Sequence, residues 1–321
     1  MAKACSGDRT ALARLLSIVE QGGELAREAG RVAWPLGGRA YTVGITGAPG
    51  AGKSTLADAL IALIRASGAE VAVLAIDPSS PFTGGALLGD RVRMSRHFLD
   101  PGVFIRSMAT RGHLGGLSAA APEAVRTLDA AGFPWILLET VGVGQIEVEI
   151  AGEADTTVVV VNPGWGDAVQ ASKAGLMEIA DIFVVNKADR AGVGETLADL
   201  EGIVELSHGR HEWRPPVLAT TATEGTGVDA LWRAVADHRA RLARTGELTR
   251  RRDDRMRTEL QRIVRRQIEQ RVAELAGLGR FAALEDDVVA RRLDPYTAAR
   301  VALDAALASA RDDGPPGSTA G

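Results

Sequence analysis

Short β-branched runs alternate with helical patterns through the middle of the chain, from Tyr41 to about Ala219. One of these runs, Val158–Val161, is apolar at every position, which is typical of a strand covered on both faces of a parallel sheet. The pattern predicts a doubly wound α/β domain with a mostly parallel sheet. The predicted strands are Tyr41–Thr46, Val71–Asp77, Val103–Met108, Trp135–Thr140, Thr156–Asn162, Ile182–Lys187 and Val217–Thr220.

The first 38 residues carry a helical pattern of their own. Leu12, Leu15, Leu16 and Val19 recur at helical spacing, and Gly22-Gly23 ends the pattern. We therefore predict an N-terminal helical extension over residues 1–38, followed by the α/β domain over residues 39–245.

The C-terminal part is strongly basic and carries one apolar stripe. Between Arg239 and Arg271, 12 arginines stand against five acidic residues. A wide stripe without interleaved aromatic residues favours packing on the body of the protein, or on a second subunit, over binding to nucleic acid or a membrane surface. We predict a helical dimerisation extension over residues 246–311 and a disordered tail over 312–321. The stripe consists of Met256, Leu260, Ile263, Val264, Ile268, Val272 and Leu275.

The composition narrows the class of protein. The 321 residues are 46% apolar, and 37 Lys and Arg against 41 Asp and Glu give a formal charge of −4, which argues against a general nucleic-acid binder. The single cysteine, Cys5, excludes an internal disulfide framework and a multi-cysteine metal site. The first residues lack the apolar core of a signal peptide, and no run is long enough to span a bilayer. We therefore expect a cytoplasmic protein.

A phosphate-binding motif follows the first predicted strand. The pattern G-x-x-x-x-G-K-[ST] lies between this strand and a helical run, which is the context that the motif requires. Its backbone N–H groups and the N-terminus of the following helix favour bound phosphate. We expect Lys53 to reach the β- and γ-phosphates and the Ser54 hydroxyl to ligate Mg²⁺. The predicted nucleotide-binding segment is Gly47-Ala48-Pro49-Gly50-Ala51-Gly52-Lys53-Ser54-Thr55.

A second motif indicates which base is bound. Asn186-Lys187-Ala188-Asp189 follows the apolar run that begins at Ile182. The Asp189 carboxylate can accept hydrogen bonds from N1–H and from the exocyclic amine of guanine, a pattern that adenine does not offer. A base without these donors leaves the carboxylate unpaired, which discriminates strongly. We therefore expect GTP and GDP, rather than ATP, as ligands.

Acidic residues near the ends of further strands are candidates for a magnesium site. Glu139 is followed by Gly142, whose N–H would bond the γ-phosphate, and Asp77 ends its own strand. Asp90 lies in a Gly-rich stretch and is almost as compatible with a helix N-cap as with a metal ligand. Carboxylate and hydroxyl oxygens suit Mg²⁺, directly or through water. The predicted metal residues are Ser54, Asp77, Asp90 and Glu139, and the predicted catalytic residues are Lys53, Asp77, Glu139 and Gly142.

These segments resemble the MeaB/ArgK family of G proteins, which are chaperones of adenosylcobalamin-dependent acyl-CoA mutases such as methylmalonyl-CoA mutase. The most specific runs are Asp-Pro-Ser-Ser from Asp77 and Glu-Thr-Val-Gly-Val-Gly-Gln from Glu139. The segments that carry the resemblance are Gly44–Leu56, Asp77–Met94, Arg106–Gly116, Glu139–Glu147, Val161–Gly175 and Asn186–Asp189.

The resemblance implies a homodimeric GTPase of the signal-recognition and metallochaperone class. From the residues themselves we expect hydrolysis that is slow alone and raised when a partner orders the loops, since no glutamine directly follows Gly142 and Gln145 is three residues on. The resemblance also implies magnesium ligation by Ser54 and Asp77, with Asp90 and Glu139 close by. It further implies a mobile loop over Asn162–Gly175 that signals the nucleotide state to the mutase. Asp167 and Lys173 stand at the functional positions of this loop, and Thr221 and Ala222 stand where the family contacts guanine.

Two positions depart from the family pattern. Ile146 stands where Ser is usual, which bears on details of the switch. Ala48 stands where some relatives carry a lysine that reaches across a dimer to the phosphates, so this chain lacks that lysine.

Two other functions share these motifs. A nickel metallochaperone would need a ligand cluster, and His208 and His211 have no third ligand nearby in sequence. A transport-system kinase would need an acceptor site and a base, and the sequence marks neither. Arg106 and Arg111 are candidates for stabilising charge or binding the partner, and a solvated loop arginine is the alternative for each.

Overall fold

The structure is a computed structural model that describes residues 1–77, 94–109, 117–140, 152–164, 178–207, 213–277 and 280–312. Each predicted strand is present, with its ends shifted by at most one residue. The strands are β1 (Tyr41–Gly47), β2 (Val71–Asp77), β3 (Val103–Ala109), β4 (Trp135–Thr140), β5 (Thr156–Val161), β6 (Ile182–Asn186) and β7 (Val217–Thr220).

Helices connect and flank these strands. Short 3₁₀ turns lie at Trp34–Leu36 and Ser95–His97. The α-helices of the described ranges are α1 (Ala2–Cys5), α2 (Arg9–Gln21), α3 (Gly23–Ala33), α4 (Lys53–Ala66), α5 (Leu117–Ala130), α6 (Val193–Ser207), α7 (Val228–Thr245), α8 (Glu247–Gly277), α9 (Arg280–Val289) and α10 (Pro295–Asp312).

The seven described strands form one sheet in the order β3-β2-β4-β1-β5-β6-β7, and all neighbouring strands are parallel. The predicted doubly wound α/β fold is confirmed. Because the strands are parallel, their carboxyl ends meet at one edge, where ligands bind in folds of this kind.

Both faces of the sheet are covered by apolar side chains. On one face, α4 and α7 pack Leu60 and Val235 into a cluster with Ile45 and Val158. The opposite face is covered by α2 and α5 over β2 and β4, and by α6 over β5 and β6. This double burial explains why the strands read as continuous apolar runs.

The N-terminal helices belong to this layered structure. Leu12, Leu16 and Val19 of α2 are buried in the same cluster as Leu74 and Leu138 of the sheet. The predicted break at Gly22-Gly23 is a turn between two helices, since Gly22 has φ 75° and caps α2, and α3 begins at the next residue. The helical pattern of α2 was therefore predicted, and the separate helix α3 was not.

The chain divides into two compact units, Met1–Thr249 and Arg250–Gly321. The second unit consists of α9, α10 and the greater part of α8, and its buried residues within the described ranges are Glu259, Ala298 and Ala302. The predicted domain limits at residues 38, 245 and 311 stay predictions. No helix in the described ranges is long and apolar enough to cross a membrane.

Candidate nucleotide-binding site

The phosphate-binding motif forms the connection between β1 and α4, as expected. Gly47 ends β1 with φ 131°, and a Cβ atom there would lie 1.9 Å from the Val160 carbonyl oxygen. Gly52 has φ 89°, and its Cβ atom would lie 2.4 Å from Asn186 Nδ2. Both positions therefore require glycine, since the loop passes against the backbone of β5 at Val160 and against the Asn186 side chain at the end of β6.

The lysine of the motif lies inside the loop. Lys53 is buried, and its Nζ donates hydrogen bonds to the carbonyl oxygens of Gly47 at 2.7 Å and Ala48 at 3.0 Å. Since Lys53 also begins α4, its ammonium group and the helix N-terminus place positive charge at the same point. This is the charge that a bound triphosphate needs.

A buried pair of oxygen groups lies beside the loop. Glu139 pairs with Ile45 in the sheet register, and the Ser54 hydroxyl donates a 2.5 Å hydrogen bond to Glu139 Oε1. Both side chains are buried. A hydroxyl and a carboxylate both offer oxygen ligands, which suit Mg²⁺. The residues present therefore fit the predicted ion.

Asn186 joins the guanine motif to the phosphate loop. Its Nδ2 donates to the Ala51 carbonyl oxygen at 2.8 Å. Its Oδ1 accepts from Thr220 Oγ1 at 3.0 Å and from the Ala222 backbone N–H at 3.1 Å. The side chain is buried, so these bonds hold the phosphate loop, the end of β7 and the following turn in one arrangement.

Lys187 makes a second link to the loop. Its φ of 60° is left-handed, which is uncommon for a residue with a side chain, and its Nζ donates to the Gly50 carbonyl oxygen at 2.5 Å. The next residue, Ala188, donates its backbone N–H to Thr220 at 3.0 Å. Asp189 is exposed at the end of this turn. Its side chain is therefore accessible to solvent, and its contact with guanine stays a prediction.

Thr221 and Ala222 lie in the turn after β7. Both are buried, and the Thr221 backbone N–H donates to the Thr226 carbonyl oxygen at 2.9 Å. The structure thus brings the phosphate loop, the Asn186 motif and Thr221–Ala222 to one edge of the sheet. Their contacts with a nucleotide stay predictions.

Arg106 lies elsewhere. It sits within β3, and its Nη2 donates to Glu20 Oε2 at 2.8 Å and to Ser17 Oγ at 3.1 Å, both on α2. The guanidinium is largely buried in this ion pair, which joins the N-terminal helices to the edge of the sheet. The contact supports a structural role for Arg106.

The remaining predicted residues lie outside the described residues. This holds for the side chain of Asp77, whose backbone ends β2 level with Ala109 of β3, and for both histidines of the nickel alternative, His208 and His211. It also holds for Asp90, Arg111, Gly142, Ile146, Asp167 and Lys173.

Threonines of the site were missed in the sequence. Thr220 supplies a hydroxyl to Asn186, and the Thr140 hydroxyl donates to Thr46 Oγ1 at 3.1 Å between β4 and β1. Threonine is common in strands, so these residues read as ordinary strand positions. The sequence offered one signal for them: each of these threonines lies within the last two residues of a strand that leads into a motif.

Comparison with known proteins assigns the family. The family model described as methylmalonyl-CoA mutase-associated GTPase MeaB matches residues 12–276. The chain belongs to this family. A protein of Pyrococcus abyssi is 52% identical over 300 residues, which cover 92% of this chain and 93% of that protein. The GTPase ArgK of Escherichia coli is 38% identical over 250 residues, which cover 75% of this chain and 76% of that protein.

The fold of this MeaB family protein is shared with a solved structure. The crystal structure of a LAO/AO transport system kinase aligns with a TM-score of 0.71 and 26% identity, covering 94% of this chain and 95% of that one. The expected family is therefore confirmed, and with it the expected activity: this MeaB family member is a GTPase.

Proposed function

We propose that this GTPase is a chaperone of an adenosylcobalamin-dependent acyl-CoA mutase of the methylmalonyl-CoA mutase type. In this role it gates loading of the cofactor and protects the mutase. The observation that carries the proposal is the family match over residues 12–276, since the family is described by its association with methylmalonyl-CoA mutase.

The residues of the carboxyl edge would divide the work of binding GTP or GDP. The backbone of Gly47–Thr55 surrounds the phosphates, Lys53 neutralises their charge, and Asp189 reads the guanine with Thr221 and Ala222 beside it. Asn186 and Lys187 act by holding the loop, because their side chains bond to Ala51 and Gly50. The site would thereby be ordered before the nucleotide arrives.

Ser54, Asp77, Asp90 and Glu139 would hold Mg²⁺ directly or through water. The bound ion would neutralise charge on the β- and γ-phosphates. Lys53, Asp77, Glu139 and Gly142 would position the γ-phosphate for attack by water. Hydrolysis would be slow without the mutase, because positioning and charge supply most of the rate in phosphoryl transfer.

The loop over residues 162–175 would report the nucleotide state to the mutase, with Asp167 and Lys173 as its switch residues. Its described start is anchored, since the Gly164 N–H donates to Thr196 Oγ1 of α6 at 3.1 Å. Arg111 would assist on the partner side, whereas Arg106 is held by Glu20 and Ser17 in a structural role. A loop fixed at one end can rearrange at the other.

The protein would act as a cytoplasmic homodimer, without binding nucleic acid or a membrane. Support for the dimer comes from the apolar residues of α8, which are exposed along one face of the helix: Met256, Leu260, Ile263, Val264 and Ile268. A second copy would cover this face.

The test is single-turnover GTP hydrolysis with and without methylmalonyl-CoA mutase. We expect the mutase to bind and to stimulate hydrolysis at least tenfold, about 1.4 kcal/mol. Lys173→Ala should keep its GTP affinity and intrinsic rate within about threefold and lose the stimulation, a coupling loss of about 1.4 kcal/mol. No binding and no stimulation would contradict the mutase role, and equal stimulation of both proteins would remove Lys173 from it.

The solved LAO/AO transport system kinase raises a second candidate function, because that protein is named as a kinase. In a kinase the γ-phosphoryl group reaches a protein hydroxyl, whereas in a GTPase it reaches water. GTP labelled at the γ-phosphate separates the two, because a kinase leaves label on a protein acceptor and the proposed chaperone releases it as free phosphate.

A further inference from the structure

Two buried threonines join β1, which leads into the phosphate loop, to its neighbour β4. Thr46 is the last residue of β1 before Gly47, and Thr140 is the last residue of β4. They lie one position beyond the paired residues Ile45 and Glu139. The Thr140 hydroxyl donates to Thr46 Oγ1 at 3.1 Å, and both side chains are fully buried.

The described neighbours that are level with this pair in the sheet are apolar. Thr140 is level with Ile76 of β2, and Thr46 is level with Val159 of β5, and both neighbours are buried. Valine has nearly the shape of threonine and would fill the same space without burying a hydroxyl group. Packing alone therefore gives no reason for two hydroxyl groups here, whereas a directional link between the strands does.

The link matters because of what each strand carries. β1 leads into the phosphate loop, and β4 carries Glu139, which accepts the Ser54 hydrogen bond on the opposite face of the sheet. The end of β4 is thus attached on both faces, by Ser54 to Glu139 and by Thr46 to Thr140. A serine hydroxyl can give an oxygen lone pair to Mg²⁺ and still donate its proton to a carboxylate, so Ser54 can hold the ion only while Glu139 keeps its place beside it. The threonine bond adds a side-chain link between β4 and β1 to their backbone pairing, next to this carboxylate.

We propose that Thr46 and Thr140 are positioning residues for GTP hydrolysis. Their hydroxyl pair fixes the carboxyl end of β4 to the strand that carries the phosphate loop. Glu139 then keeps its place beside Ser54 when the ion and the nucleotide bind. This inference rests on the roles of Ser54 and Glu139 in the proposed function.

The experiment compares Thr140→Val and Thr46→Val with Thr140→Ser, which keeps a hydroxyl at the same position. The measurements are single-turnover GTP hydrolysis, GDP affinity with and without Mg²⁺, and urea unfolding. We expect each valine variant to hydrolyse GTP at least tenfold more slowly, while its Mg²⁺-free GDP affinity stays within threefold of the wild type. The increase in GDP affinity on adding Mg²⁺ should shrink in both valine variants.

Urea unfolding of the variants distinguishes a loss of the position of Glu139 from a loss of packing between β1 and β4. Each single valine variant leaves the other threonine hydroxyl buried without its partner, so it should unfold at a lower urea concentration than the wild type. The double valine variant removes both hydroxyl groups and should recover most of that stability while its hydrolysis stays slow. Thr140→Ser should restore most of the hydrolysis rate although it packs less well. The double valine variant should be no slower than the slower single variant, because both substitutions remove the same bond.

Three results would overturn the inference: wild-type hydrolysis by both valine variants, equal loss in Thr140→Ser and Thr140→Val, or additive losses in the double variant. Ser54→Ala, measured in parallel, tests the underlying role by itself. Loss of the Mg²⁺ effect on GDP affinity supports that role. Retention contradicts the role of Ser54 whatever the threonine variants show.

Discussion

The two compact units of the chain differ in where their apolar side chains lie. In Met1–Thr249, apolar residues from the helices and from seven strands meet in clusters on both faces of the sheet. In the described part of Arg250–Gly321, the apolar face of α8 is open to solvent, and Leu260 is 62% exposed. The first unit thus satisfies its own hydrophobic pattern, whereas the second carries a pattern that needs a partner surface.

The same apolar periodicity thus leads to a buried face in one helix and to an exposed face in another. Apolar periodicity predicted buried residues in α2 and an apolar stripe in α8 equally well. Burial of the α2 stripe follows from the sheet beside it, which supplies Leu74 and Leu138. Periodicity alone therefore indicates that a face will be covered, and the surrounding fold decides whether the chain itself covers it.

The largest expected effect comes from breaking the close packing of the first unit. Gly47→Ala would place a Cβ atom 1.9 Å from the Val160 carbonyl oxygen. We expect it to lower the free energy of unfolding by about 4 kcal/mol or more, or to prevent folding. The matched control is Gly50→Ala, which has φ 73° but no atom within 4 Å of the new Cβ, and which should cost about 1 kcal/mol. Urea unfolding measures both, and equal losses would contradict the packing argument.

The next effect concerns the open face of the second unit. Leu260→Asp should weaken self-association roughly 100-fold, about 2.7 kcal/mol, because a charge would enter an apolar interface. Thr258→Asp is the control, since it adds the same charge to the opposite side of α8, where Thr258 is exposed. Sedimentation equilibrium measures both. A wild-type monomer, or two equally strong dimers, would show that α8 is not the dimer interface.

A smaller effect tests the links at the carboxyl edge of the first unit. Asn186→Ala removes three hydrogen bonds and leaves buried groups without them, so we expect a loss of about 2 kcal/mol in unfolding free energy. Thr220→Val removes one of these bonds and should cost about half as much. Thermal and urea unfolding measure the loss of unfolding free energy in both variants. Equal losses in the two variants would contradict the view that Asn186 joins three segments.

The smallest effect is on pH dependence. Burial raises the pKa of Tyr41 in the first unit to about 12 from its ordinary value of 10. The unfolded chain therefore releases this proton first, and stability falls as pH rises from 10 to 12, by about 1.4 kcal/mol at pH 11. Tyr41→Phe should lose this part of the pH dependence. Tyr296→Phe, which changes the exposed tyrosine of the second unit, should keep it. Urea unfolding at pH 8 and 11 measures the difference.

The strands and the motif loops could be predicted from the sequence because their signals are local. Each strand is a β-branched run, and Gly47–Ser54 and Asn186–Asp189 are contiguous motifs. Contacts between distant residues could not be predicted in this way. The ion pair of Arg106 with Glu20 joins residues 86 apart, and the threonine pair joins residues 94 apart. Such pairs depend on the strand order, which places β4 beside β1 although two strands intervene in the chain.

We propose that the carboxyl edge of the first unit binds guanine nucleotides through Asp189. Calorimetric titration of the protein with GTP, ATP and XTP in the presence of Mg²⁺ tests it most directly. We expect GTP to bind at least about 10³-fold more tightly than ATP, because ATP leaves the carboxylate without its two donors. In Asp189→Asn, where an amide replaces the carboxylate, the preference should move toward XTP. Equal affinity of the wild-type protein for GTP and ATP would contradict the account.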